Sequence, residues 1–224
     1  MSFVSSLQKA FESMSRQEDA LAMAKYMKNK FAFFGIKTTP RRAVLKSLWR
    51  ENHIEIRQHT RTIVSQLFSK NEREFHYCAM EIMMTELKNK YVKEDIHLIK
   101  KLLTTHAWWD SVDIISKHIL GNYLLQFPEY IEDVVTEFNN ESDIWLNRST
   151  ILFQLGYKSK TDFALLMQVC LLHKDSNEFF IQKAIGWALR EYAKSNPEAV
   201  KDFIFVNNLK PLSRKEALKN LSVA

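Results

Sequence analysis

Phe179-Phe180-Ile181-Gln182-Lys183-Ala184-Ile185-Gly186-Trp187-Ala188-Leu189-Arg190-Glu191-Tyr192 carries Ile181, Ile185 and Leu189 at four-residue steps. That is the spacing of an apolar helix face. Its opening recurs upstream in Ile144-Trp145-Leu146-Asn147-Arg148, Trp108-Trp109-Asp110-Ser111-Val112-Asp113 and Glu74-Phe75-His76-Tyr77-Cys78-Ala79-Met80. The anchors Phe75, Trp109, Trp145 and Phe180 stand 34, 36 and 35 residues apart. A period of this size marks stacked helical pairs, each burying its apolar face on its neighbours.

The rest of the chain agrees. Four glycines and four prolines in 224 residues leave little room for many β-turns. Polar stretches such as Ser69-Lys70-Asn71 and Asp175-Ser176-Asn177 read as turns between helices. Pro40-Arg41-Arg42 lies 35 residues before Phe75 and reads as the start of a degenerate first repeat. Two helices, about 3–14 and 17–30, cap the array within about residues 3–35, and repeats fill about 40–206. Ser213-Arg214-Lys215-Glu216 has the pattern of a capping box opening a last helix over about 213–222. The expected fold is all-α, a solenoid whose inner helices line a concave basic groove. With no linker in view, residues 1–224 read as one domain.

Composition narrows the function. Lys and Arg number 32 against 26 Asp and Glu, a modest net charge of +6, so the placement of charge matters more than its sum. Cys78 and Cys170 make neither a disulfide framework nor a metal site. The opening Met1-Ser2-Phe3-Val4 lacks the charged and apolar regions of a signal peptide. No apolar run approaches the roughly 18 residues of a membrane span. The expectation is a soluble cytoplasmic protein without metal or cofactor. Histidines 53, 59, 76, 97, 106, 118 and 173 show no HExxH spacing. There is no glycine-rich phosphate loop, no GxSxG elbow, and no assignable base for Cys78.

Related positions of the repeats carry charge and rings. Arg148 and Lys183 each lie three residues after their anchors, and Lys183, Trp187 and Arg190 share one helix face. Trp109 and Asp113 are four apart, about 6 Å along a helix axis. Adjacent Trp108 and Trp109 point about 100° apart, so one of them is expected to be exposed. Arg41, Arg42, Lys158 and Lys160 add positive charge, as do Lys25, Lys28 and Lys30 around Tyr26. Taken singly, each Trp has an ordinary reading as core and each charge as a solvated surface group. Together they line a face suited to a polyanion whose reaction develops positive charge. Cations contact phosphates, ring faces attract a cationic base, and a carboxylate stabilises the oxocarbenium character of a breaking N-glycosidic bond. A base already carrying a positive charge leaves neutral and needs no general acid.

The blocks quoted from Trp108, Ile144 and Phe179 resemble the AlkD-type HEAT-like repeat DNA glycosylases of the DNA alkylation repair enzyme family. Tyr26-Met27-Lys28-Asn29 with Phe34-Gly35-Ile36, and the ending Leu209-Lys210-Pro211-Leu212-Ser213, are similar too. The resemblance runs from about residue 3 to residue 220. It implies a HEAT-like α-α superhelix and a monofunctional glycosylase, working as a monomer on double-stranded DNA that carries cationic alkylated purines. The bases would be of the 3-methyladenine and 7-methylguanine type, released for base excision repair without metal, cofactor or lyase chemistry. Most base chemistry requires extrusion of the base; the resemblance implies handling of the lesion without it. The family's catalytic Asp and paired Trp fall on Asp113, Trp109 and Trp187. Its phosphate-contacting arginines fall on Arg148 and Arg190, and its active-site Tyr on Tyr26. Arg41, Arg42, Lys158 and Lys183 complete the expected DNA contacts. Two rivals stay open: a paralogue that binds DNA but excises little, and a HEAT-type scaffold whose groove holds a protein.

Overall fold

The computed structural model describes residues 2–219 and 221. Among them the chain is all-α, and the one strand-like pairing is an isolated bridge between Ala32 and Glu72. Contacts cluster in two units, one ending at Val92 and one beginning at Lys93. No helix of the described residues is long and apolar enough to cross a membrane.

The first unit holds α1 (Phe3–Ser13), α2 (Gln17–Tyr26), α3 (Thr38–Glu51), α4 (His53–Gln58), α5 (Thr60–Phe68) and α6 (Arg73–Glu86). α1 buries Phe3, Val4, Leu7 and Phe11, a stripe at steps of one, three and four, and packs on α3 and α5. α2 stops at Tyr26, four residues short of the expected end. Lys28 and Asn29 take left-handed conformations there (φ 57° and 56°), which halts a right-handed helix. The loop before α3 is held by Glu74 of α6. Its carboxylate accepts from the backbone N–H groups of Phe34, Gly35 and Ile36 at 3.2, 3.0 and 3.0 Å. Gly35 sits at φ 85°, and a Cβ there would lie 2.2 Å from the Arg16 carbonyl oxygen.

The second unit holds α7 (Asp95–Thr104), α8 (Trp109–Ile114), α9 (Gly121–Gln126), α10 (Ile131–Asn140), α11 (Ile144–Leu152), α12 (Phe163–Leu172), α13 (Phe179–Tyr192), α14 (Pro197–Val206) and α15 (Pro211–Leu218). A π-helical segment, Ile115–Leu120, joins α8 to α9 without a break. The repeat read from the sequence is physical: Phe75, Trp109, Trp145 and Phe180 each fall within the first three residues of α6, α8, α11 and α13. α11 packs between α8 with its π continuation on one side and α13 on the other; α13 in turn packs on α15. α10, α12 and α14 supply second helices to the stack. The expected stripe is core, with Ile181, Ile185 and Leu189 all at most 2% exposed. Each such side chain contributes about 1.5–3 kcal/mol of transfer free energy.

The capping box expected at Ser213 and Glu216 does not form. Pro211 opens α15 two residues earlier, because its fixed φ suits the first helical position. The Ser213 hydroxyl is then buried with no hydrogen-bond partner, and Glu216 turns toward α13. The end of that helix expected near residue 222 lies outside the described residues.

Candidate nucleic-acid cleft

α8, α11, α13 and α15 together frame a cleft of about 330 Å³ in the second unit. Trp109 and Asp113 reach it from α8, and Arg148 from α11. Phe179, Phe180, Lys183, Trp187 and Arg190 reach it from α13, and Glu216 from α15. Six residues expected to act together, Trp109, Asp113, Arg148, Lys183, Trp187 and Arg190, are therefore neighbours. Their order along the repeat explains this: Asp113, Arg148 and Lys183 are 35 residues apart, so they occupy one register on successive stacked helices.

Trp108 and Trp109 divide as their 100° separation requires. Trp108, in extended backbone just before α8, packs edge-on to Trp145 and Phe180 at centroid distances of 5.5 and 5.1 Å. Trp145 and Phe180 lie 5.0 Å apart. Trp109 faces the cleft instead. Each ring is half-buried, so neither is fully exposed.

Asp113 is tied to Arg148 by a fork. Arg148 Nε donates to Oδ1 at 2.8 Å and Nη2 donates to Oδ2 at 3.0 Å. Arg148 Nη1 donates to the Phe180 carbonyl. This planar, charge-assisted geometry fixes the carboxylate in orientation as well as charge. The guanidinium side chain is 5% exposed and the carboxylate side chain 17%, so the negative end of the pair is the more open. Burial pushes the Asp113 carboxyl above its ordinary value, and the hydrogen bonds and charge of Arg148 only partly pull it back. Arg148 was expected to meet a DNA phosphate. In this structure three of its five N–H donors go to Asp113 and a backbone carbonyl.

The opposite wall has the reverse balance. Lys183 Nζ donates to Glu216 Oε1 at 2.9 Å. Arg190 Nη1 donates to Glu216 Oε2 at 2.8 Å and to the Glu216 carbonyl at 2.9 Å. These two partners hold the Glu216 carboxyl down at about 2, against a small opposing effect of burial. The close approach depends on Gly186: a Cβ there would lie 2.4 Å from the Glu216 Cβ and 2.8 Å from the Ser213 carbonyl oxygen. Glu216 is the charged site residue that sequence reasoning missed, along with the rings of Phe179 and Phe180. Its signal was present, since it follows Lys183 by 33 residues, close to the repeat period.

Four expected residues lie elsewhere. Tyr26, Arg41 and Arg42 belong to the first unit. Tyr26 is 70% exposed at the end of α2. Arg41 is buried, with Nη2 on Glu81 Oε1 at 2.8 Å, Nη1 on Cys78 Sγ at 3.6 Å, and its guanidinium over the Tyr77 ring. It is not a surface cation. Arg42 is exposed and shares Glu81, with Nε 3.0 Å from Oε1. Lys158 is exposed in a left-handed conformation (φ 57°) after α11, and does not line the cleft. Among the described residues, no group of three or more His, Cys, Asp or Glu side chains is placed to hold a metal ion.

Comparison with known proteins gives the chain's family. A family model described as DNA alkylation repair enzyme matches residues 7–221. A solved structure, a predicted DNA alkylation repair enzyme from Enterococcus faecalis, is similar at 32% identity with a TM-score of 0.85, over 94% of this chain and 98% of that one. No curated protein matches the chain. With a family match over nearly its whole length and a shared fold, the chain belongs to the DNA alkylation repair enzyme family.

Proposed function

We propose that this protein is a monofunctional DNA glycosylase that hydrolyses the N-glycosidic bond of cationic alkylated purines in double-stranded DNA. The observation that carries the reading is the Asp113 carboxylate, oriented by a buried guanidinium and open toward a cleft walled by Trp109 and Trp187. As the C1′–N bond breaks, its electron pair leaves with the base, which becomes neutral, and positive charge develops on the sugar. A carboxylate acts on that charge directly. A bare carboxylate at about 4 Å and an effective dielectric of 20 stabilises it by about 4 kcal/mol. Arg148 behind it reduces the field, and a remaining ~2–4 kcal/mol corresponds to about 30- to 1000-fold in rate. Water then adds to the sugar carbon, and its proton passes to Asp113 or to solvent.

The rings of Trp109 and Trp187 offer their faces to the alkylated base or the sugar, each contact being worth ~0.5–2 kcal/mol. Lys183 and Arg190 meet backbone phosphates. Arg148 is a positioning residue for Asp113 rather than a phosphate contact. Tyr26, Arg42 and Lys158 supply further contacts with the duplex from exposed positions. Arg41, buried on Glu81, does not. The reaction as written uses one protein molecule and no metal or cofactor.

The test is release of free base from duplex DNA containing 7-methylguanine, in the presence of a chelator and at low salt. Release of the base with an intact abasic strand is the expected result. Salt-sensitive binding without release marks a non-catalytic DNA-binding paralogue. No affinity for DNA at low salt leaves a protein-binding scaffold.

A further inference from the structure

Lys183 and Arg190 are the two cations of the cleft that Arg148's engagement leaves for a phosphate, yet both are already paired. Glu216 takes one carboxylate oxygen to each, at 2.9 and 2.8 Å. Among the five charged side chains lining the cleft this leaves a single net positive charge, where without Glu216 there would be two. The arrangement is built rather than incidental. Gly186 removes the side chain that would hold α15 away from α13, and the Glu216 backbone carbonyl adds its own bond to Arg190.

We propose that Glu216 is a built-in counter-ion that competes with DNA phosphate for Lys183 and Arg190, and so sets the affinity and salt dependence of DNA binding. This rests on the DNA-binding reading above. A carboxylate and a phosphate oxygen are both anionic acceptors for the same donors. Each phosphate contact contributes about 0.9 to the slope of log affinity against log salt. A cation that stays paired within the protein neutralises no phosphate and so releases none of the cations condensed on the DNA; Glu216 should therefore cost the wild type about one such contact. The competing idea is that Glu216 helps binding by holding two long side chains in place. Glu216→Gln separates the two effects. Gln keeps an acceptor for one cation, the backbone carbonyl still anchors Arg190, and the charge is gone.

The experiment measures affinity for an undamaged duplex over a tenfold range of salt, for wild type, Glu216→Gln and Lys183→Gln/Glu216→Gln, each checked for native helicity. The expected slope of Glu216→Gln is steeper by about 0.9, so its advantage over wild type grows about eightfold for a tenfold dilution of salt. The double variant restores the charge balance and returns to the wild-type slope. A Glu216→Gln slope equal to wild type, or weaker binding at every salt, overturns the counter-ion role and leaves DNA binding standing. A double variant as steep as Glu216→Gln overturns it as well, even if the single variant folds poorly. A wild type with no salt-dependent affinity overturns the DNA-binding reading and this one with it.

Discussion

Asp113 and Glu216 line the same cleft, and both are held by basic side chains, yet their acidities move in opposite directions. Asp113 is burdened mainly by burial, and one forked guanidinium does not fully compensate it. Glu216 is about as enclosed as Asp113 but binds two cations, and its carboxyl falls to about 2. The difference suits the roles proposed for them. A carboxylate short of compensation gains most when positive charge appears in front of it; one saturated by partners gains least. In the proposed mechanism Asp113 is the group that acts on a developing cation, and Glu216 the group that sets the cleft's charge.

The contrast can be broken most severely at Arg148. Replacing it with Met leaves Asp113 half-buried without its partner. The expected cost is about 3–5 kcal/mol of stability, read from urea unfolding. Its carboxyl should rise further, so base release acquires a new limb and falls as pH drops through that raised value. An Arg148→Met enzyme with wild-type stability and an unchanged pH profile would remove the forked pair from the account. Gly186→Ala tests the other wall. Its methyl group would meet Glu216 Cβ and the Ser213 carbonyl, and overpacking of this kind costs about 1–3 kcal/mol. Because α15 must shift outward, the variant should also take on part of the steeper salt slope of Glu216→Gln.

A smaller effect sharpens the comparison through pH. Glu216 has a folded-state value below its ordinary one. Its pairing therefore stabilises the fold above about 4.5 and is lost as pH falls toward about 2. For Asp113 the sign reverses: with its value raised, ionising the carboxyl costs stability as pH rises through that value. Wild type should exceed Glu216→Gln by about 1 kcal/mol at pH 6, and the gap should close between pH 4.5 and 2. A constant gap across that window would mean that packing of α15, rather than the ion pairs, is being measured.

Much of this was legible because the repeat is a physical object. The register that spaces Asp113, Arg148 and Lys183 by 35 residues also stacks them, so a sequence period became a cleft. The buried stripe Ile181, Ile185 and Leu189 was visible for the same reason. What escaped notice were pairings that a local pattern disguises. Ser213 and Glu216 look like a helix cap, but Pro211 starts the helix first and releases Glu216 for partners more than 25 residues away. Arg41 and Arg42 look like twin surface cations. Adjacent positions on a helix face different ways, so Arg41 turns into the core onto Glu81 and Cys78 while Arg42 stays exposed. The resemblance gave Arg148 a phosphate contact, and its pairing with Asp113 stayed hidden because that carboxylate lies a whole repeat away.

The most direct measurement is the single-turnover rate of 7-methylguanine release by Asp113→Asn, at protein concentrations that saturate the duplex. Asn keeps an oxygen for Arg148 and the shape of the side chain while removing the charge. The expected result is release slowed about 30- to 1000-fold with duplex affinity close to that of wild type. Release at the wild-type rate by a fully bound Asp113→Asn enzyme would contradict the account.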